Sequence, residues 1–125
     1  MIRAVQAVRG AITARENSQE AIREASRRLL VEVLQRNRIA SRQIISIMFS
    51  LTRDLTRANP AAVARELGFS ATPLFCLQEA EIEGSLRRVI RLLITYAPRG
   101  RRRPVPVYLE GARSLRPDLA QEPGA

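Results

Sequence analysis

Between Asn17 and Ile39 the apolar positions recur at helical spacing. Ile22, Ala25, Leu29, Leu30, Val33 and Leu34 share one stripe, while Arg and Glu fill the opposite face. Asn17 followed by Glu20 forms a capping-box pattern and sets the predicted helix start. On either side the period shortens. "MIRAVQAVRGAIT" alternates loosely through Ile2, Val5, Val8 and Ile12 and predicts a strand ending at Gly10. "SRQIISIMFSLT" is apolar from Ile44 to Phe49 except at Ser46, the pattern of a strand buried on both faces.

Further along, Pro60 at a first helical turn, an Ala-rich run and a stop at Gly68 predict a short second helix. "ATPLFCLQEAEI" predicts a strand started by Pro73, with a turn at "EGS" behind it. "APRGRRRPVPVY" is a punctuated connection holding three prolines, a glycine and four arginines. "VYLEGARSLRPDL" closes the fold, and residues 119–125 read as a polar, flexible tail. No repeat or compositional break divides the 125 residues, so one domain over 1–125 is expected. The element order strand, helix, strand, helix, strand, strand predicts an α+β fold, a mixed sheet with helices on one face.

The stretch "SLRRVIRLLITY" admits two readings. As a helix, Leu86, Val89, Ile90 and Leu93 make a stripe and leave Arg87, Arg88 and Arg91 in solvent. As a strand, Val89, Arg91 and Leu93 share one face and Ile90, Leu92 and Ile94 the other, so Arg91 points into covered space. A buried guanidinium persists only with a carboxylate partner or an anionic ligand. Composition favours the helix; the turn at Gly84 and the β-branched Val89, Ile90, Ile94 and Thr95 favour the strand. The upstream Cys76 and Glu79 pose a related question. Their odd spacing puts them on opposite faces of a regular strand, and they share a site only if that strand ends or bulges near Gln78. A lone Cys is ordinarily a small core hydrophobe.

Composition narrows the chemistry. The chain has no His, and all 21 of its basic residues are Arg. Imidazole bases, Schiff-base lysines and phosphate-loop lysines are therefore excluded. One Cys and scattered carboxylates make a poor metal-ligand set, and no internal disulfide is possible. The net charge of +9 favours an anionic partner, either a small polyanion or a nucleic acid. Aromatic residues are only 4% of the chain, too few for a base-stacking platform. Arg9 interrupts any apolar core of a signal peptide, and no apolar run is long enough to span a bilayer. A cytoplasmic protein without membrane contact is expected.

The segments "VRGAIT", "DLTRANPAAVARELG", "CLQEAEIEGSLRRVIR" and "VYLEGARSLRPDL" resemble, in order and spacing, the monofunctional bacterial chorismate mutases of the trimeric pseudo-α/β-barrel class. The resemblance runs from about residue 7 to residue 119. It implies a ferredoxin-like mixed sheet with helices on one face, trimerising into a pseudo-barrel with active sites between subunits. It implies the Claisen rearrangement of chorismate to prephenate, in aromatic amino-acid biosynthesis, with no cofactor, no metal and no nucleic acid. By the same resemblance, Arg91 approaches the breaking ether oxygen, Glu79 accepts from the ring hydroxyl and Cys76 lines the same region. Arg9 and Tyr108 hold substrate carboxylates, with Phe75, Leu77 and Gln78 alongside. Arg65 comes from the adjacent subunit, and Leu115 and Arg116 close over the site. Asn59 stands where the family often carries phenylalanine, Ala62 where a basic residue is common and Ser85 where a second glycine is common. A catalytically silent relative and a basic nucleic-acid-binding module are the competing readings.

The chemistry implied suits the inventory. A pericyclic rearrangement needs no nucleophile, proton transfer or metal, so a chain without His or Lys is not handicapped. It needs a compact dianionic conformer, held by guanidinium forks. It also needs a fixed cation where negative charge grows on the ether oxygen.

Overall fold

The computed structural model describes residues 4–119. Strand β1 (Gln6–Thr13) leads to helix α1 (Gln19–Arg36), and a short 3-10 turn (Ser41–Gln43) precedes β2 (Ile44–Leu51). Helix α2 (Pro60–Glu66), β3 (Leu74–Gln78), β4 (Val89–Tyr96), β5 (Val107–Leu109) and a 3-10 turn (Glu110–Leu115) complete the chain. The strands form one five-stranded sheet in the order β3-β2-β4-β1-β5. β4 lies antiparallel between β1 and β2, while β3 and β5 run parallel to β2 and β1 at the edges. β1-α1-β2 is thus a split βαβ unit, the core of the ferredoxin-like arrangement expected. The Arg91 segment is a strand, and it occupies the middle of the sheet.

Both helices pack on the same face. Ile22, Leu29, Leu30 and Val33 of α1 and Ala61 and Ala64 of α2 join Val8, Ile12, Ile47, Phe49, Ile90, Leu92 and Ile94 in one buried cluster. Each fully buried Leu or Ile contributes about 1.5–3 kcal/mol relative to exposure. Leu34, counted in the predicted stripe, is only half-buried at its edge. The long connection 97–106 is tied down by buried amides. Asn37 accepts from the Val105 N–H at 2.6 Å and donates to the Val105 carbonyl at 3.0 Å, and Gln43 donates to the Ala97 carbonyl at 3.1 Å.

Three expectations are corrected. β1 does not end at Gly10 but continues to Thr13. Gly10 marks a close approach instead: a Cβ there would lie 2.9 Å from Val33 Cγ2, 3.0 Å from Leu29 Cδ1 and 3.1 Å from the Val107 carbonyl oxygen. The cap of α1 is Ser18, whose Oγ accepts from the Ala21 N–H at 3.1 Å. Asn17 bridges to Thr56 instead, donating to its Oγ1 at 3.0 Å and accepting from its N–H at 2.9 Å. β2 is buried on one face only; Ile47 and Phe49 meet the helices while Met48 is exposed. Of the tail 119–125, all but Leu119 lies outside the described residues.

Gly10→Ala should cost about 1–3 kcal/mol, because the added methyl meets both helix side chains and backbone. Urea unfolding measures this; an unchanged midpoint would mean that α1 is not seated against β1 as described.

Candidate active site

Strand alternation on β4 sends Ile90, Leu92 and Ile94 toward the helices and Arg91 and Leu93 to the face that carries none. Register then sets the neighbours. Arg91 lies opposite Ser50 of β2 and Ala11 of β1; beyond them stand Leu77 of β3 and Tyr108 of β5. The line Leu77–Ser50–Arg91–Ala11–Tyr108 therefore crosses the whole sheet. A second line, Phe75–Met48–Leu93–Arg9, runs beside it. Between the two lies a depression of about 230 Å³, bounded by Arg9, Met48, Ser50, Arg91, Leu93 and Tyr108. This is smaller than the roughly 300–1,000 Å³ of a complete small-molecule site.

Glu79 joins this face by continuing the alternation one residue past β3. Its N–H donates to the Leu51 carbonyl at 2.7 Å, so Phe75, Leu77 and Glu79 all project to the open side. The carboxylate accepts from Ser50 Oγ at 2.5 Å and lies 3.2 Å from Arg91 Nε, both contacts falling on Oε1. The Arg91 Nε is buried, yet its N–H is not aligned for a hydrogen bond with any described group. Among the described residues, the Nη groups of Arg91 make no hydrogen bond either. With 43% of the Arg91 side chain exposed, the pair adds about 1 kcal/mol or less to stability. Excluding water from it would strengthen the same charges several-fold.

Tyr108 is buried in a small cluster with Ala11, Val89 and Ala112, and Leu86, Leu115 and Leu119 pack against it. Ala11 has Arg91 on one side and Tyr108 on the other, so its methyl leaves the floor between them low. Arg9 is exposed. In the C-terminal segment Arg116 donates through Nε and Nη2 to Asp118, at 3.2 and 3.0 Å. Those bonds from Arg116 hold the Asp118 carboxyl below the usual carboxylate range, with a further contribution from the charge of Arg9.

The remaining expected residues fall elsewhere. Cys76 is register partner to Phe49 and packs against the helix-side core, so within one chain it does not share the face of Arg91 and Glu79. The odd spacing decides this, since the strand neither bulges nor twists out of alternation before Glu79. Cys76 and Gln78 line a separate hollow with Leu51 and Asn59. Asn59 caps α2, its Oδ1 accepting from the Ala61 N–H at 2.9 Å, and Arg65 lies exposed near the far end of that helix. Burial pushes the Cys76 thiol up from its ordinary value. A wider hollow of about 700 Å³ follows β3, lined by Arg53, Asp54, Glu81, Glu83 and Arg87 among others; it shares only Glu79 with the charged row.

Sequence reasoning missed Ser50 and Ala11. Both could have been found by aligning the alternating positions of "IMFSLT" and "VRGAIT" against Arg91, but that needs the pairing of strands far apart in the chain. Among the described residues, no group of three or more His, Cys, Asp or Glu side chains could hold a metal ion, and no helix is long and apolar enough to cross a membrane.

Comparison with known proteins places the chain. Residues 5–119 match the chorismate mutase type I family. The chain is 44% identical over 119 residues to Chorismate mutase AroH of Thermus thermophilus, covering 92% of this chain and 96% of that protein. It is 32% identical over 120 residues to Chorismate mutase AroH of Bacillus subtilis (strain 168), covering 93% of each. A solved structure of a chorismate mutase from Clostridium thermocellum superposes with a TM-score of 0.82 at 35% identity, covering 87% of this chain and 98% of that one. Matched along nearly its whole length in both sequence and fold, the chain belongs to the type I chorismate mutase family.

Proposed function

We propose that this protein isomerises chorismate to prephenate on the open face of its sheet, with Arg91 and Glu79 at the reacting centre. The observation that carries the reading is the position of Arg91: mid-sheet, beside an apolar-lined depression, with a carboxylate against its Nε and its Nη groups unclaimed by any described residue. In the rearrangement the ether C–O bond breaks as a C–C bond forms within the same molecule. No atom leaves and no proton moves, but electron density builds on the ether oxygen. A guanidinium fixed at that oxygen stabilises the transition state more than the ground state. Glu79 accepts from the ring hydroxyl and balances the positive character of the ring. Arg9 and Tyr108, across the low floor at Ala11, hold the carboxylates of the compact conformer, which converts binding into orientation. The family match lends nothing to the nucleic-acid-binding alternative.

The site is completed by a second copy of the chain, in a homotrimer. The open face carries Phe75 at 66%, Leu77 at 49%, Leu93 at 39% and Met48 at 37% exposure, an apolar surface that invites cover. The depression lacks a wall, while Asn59, Arg65, Cys76 and Gln78 lie away from the charged row of their own chain. Those residues reach a row only from a neighbour. There Cys76 acts as a neutral, polarisable wall.

Loss of chorismate absorbance, with and without a chelator, tests the activity; the rate should be the same in both. Arg91→Lys should lower kcat/KM by about 10²–10³, close to the effect of Arg91→Ala, because an ammonium does not reproduce the fork. Near-normal turnover by Arg91→Lys would refute the role of that residue. Sedimentation should give three times the mass of one chain, and Phe75→Glu should shift the protein toward monomer and lower turnover with it. A stable, fully active monomer contradicts the shared site. Because burial pushes the Cys76 thiol up from its ordinary value, the thiol stays protonated at neutral pH. Cys76→Ala should therefore leave the shape of the rate profile between about pH 6 and 8 unchanged; a limb that disappears in the variant would show a thiolate at work.

A further inference from the structure

We propose that Ser50 is a positioning residue that holds the Glu79 carboxylate off the outer nitrogens of Arg91. The inference rests on the reading that Arg91 and Glu79 form the reacting centre. An arginine and a carboxylate left to themselves favour the bidentate fork, with two parallel N–H···O bonds. The pair seen here avoids it. One carboxylate oxygen, Oε1, faces the inner nitrogen Nε at 3.2 Å without hydrogen-bond alignment, and the same oxygen accepts from Ser50 Oγ at 2.5 Å. The hydroxyl thus holds Oε1 at the β2 side of Arg91. Oε2 is left for a hydroxyl of the substrate, and the Nη groups of Arg91 are left for an oxygen gaining charge.

Register explains why the residue must stand at position 50. Ser50 is the direct cross-strand partner of Arg91 on one side and of Leu77 on the other. Glu79, two residues beyond Leu77, arrives over Ser50 from the end of the edge strand. A side chain at 50 is therefore the β2 group that stands beside both the acid and the cation on this face. Small size matters as much as the hydroxyl, because Ser50 also lines the depression. Other charged groups near Glu79 do not substitute for it. Arg53 and Asp54 follow β2, and Glu81, Glu83 and Arg87 belong to the loop that Glu79 itself opens; all face the neighbouring hollow, and Arg53 is paired with Glu81 at 2.5 Å. Without the hydroxyl, the carboxylate is drawn to the nearest unclaimed donors, the Nη groups. The acid then neutralises the cation that the reaction requires.

The experiment is a double-mutant cycle on chorismate turnover in the full chain, with Ser50→Ala and Glu79→Ala singly and together, and Ser50→Thr as the conservative variant. Ser50→Ala should lower kcat about 10- to 100-fold, the factor for losing a hydrogen bond to a charged group. KM should change by less than about 3-fold, and the urea midpoint should stay near that of the parent, since the group stands on an open face. In the Glu79→Ala background Ser50→Ala should add nothing, because nothing remains to be positioned. Ser50→Thr keeps a hydroxyl and should recover most of the rate. A crystal structure of Ser50→Ala should show Glu79 forked on Arg91. Equal losses from Ser50→Ala in both backgrounds, a kcat within twofold of the parent, or an unmoved carboxylate would each overturn the assignment while leaving the active-site reading in place. A parent protein that does not consume chorismate would overturn both.

Discussion

One charged contact organises this protein: a carboxylate and a guanidinium side by side on the bare face of a sheet whose other face is a sealed aliphatic core. Arg91 stands on the central strand, flanked by Ile90 and Leu92 that both point into that core. Its direction is therefore fixed by its neighbours, since turning it over would bury a cation among the helices and expose two large aliphatic side chains. The pair contributes little stability where it stands. Its value is positional, because strand pairing on both sides holds the charge on a rigid element.

The rest of the architecture serves the contrast between the two faces. α1 and α2 cover one side completely, with Gly10 letting α1 come down onto β1. Among the described residues, no element of the same chain lies over the centre of the opposite side. The turn after β5 covers its edge, where Ala112 and Leu115 close around Tyr108. The result is a face that is apolar at Phe75, Met48, Leu77 and Leu93 yet charged at Arg9, Glu79 and Arg91. Under the proposed reading, such a surface takes a small dianion between copies of the chain. The expected site residues divide between the two sides: Arg9, Phe75, Leu77, Glu79, Arg91 and Tyr108 lie on the open face, whereas Asn59, Arg65, Cys76 and Gln78 stand on the helix side or its margin.

Much of the fold was legible along the chain. The stripe of α1, the Pro60 start of α2 and the turn at Gly84 need only local rules, and each lies where those rules put it. The misplacements were of another kind. Gly10 looked like a strand end because a glycine punctuates chains locally, but here its missing side chain is required by a helix that arrives later. Ser18 and Asn17 are both competent caps, and the choice went to Ser18 because Asn17 found Thr56, distant in sequence. The unbroken apolar run of β2 looked doubly buried, although Met48 faces the open side.

What the sequence by itself determined was the set of side chains available for chemistry. An inventory without His or Lys restricts any site to guanidinium, carboxylate, hydroxyl, thiol and backbone amides, and the family resemblance pointed to the region around Cys76, Glu79 and Arg91. Period alone could not decide whether "SLRRVIRLLITY" winds or extends, since the same residues satisfy both patterns. Only the tertiary structure decided that, by placing the segment between β1 and β2 where its backbone groups are paired on both sides. The register of β2 on β4 put Ser50 beside Arg91. Registers between strands distant in sequence are set by which apolar faces can be buried together, and no local stretch of sequence carries that information.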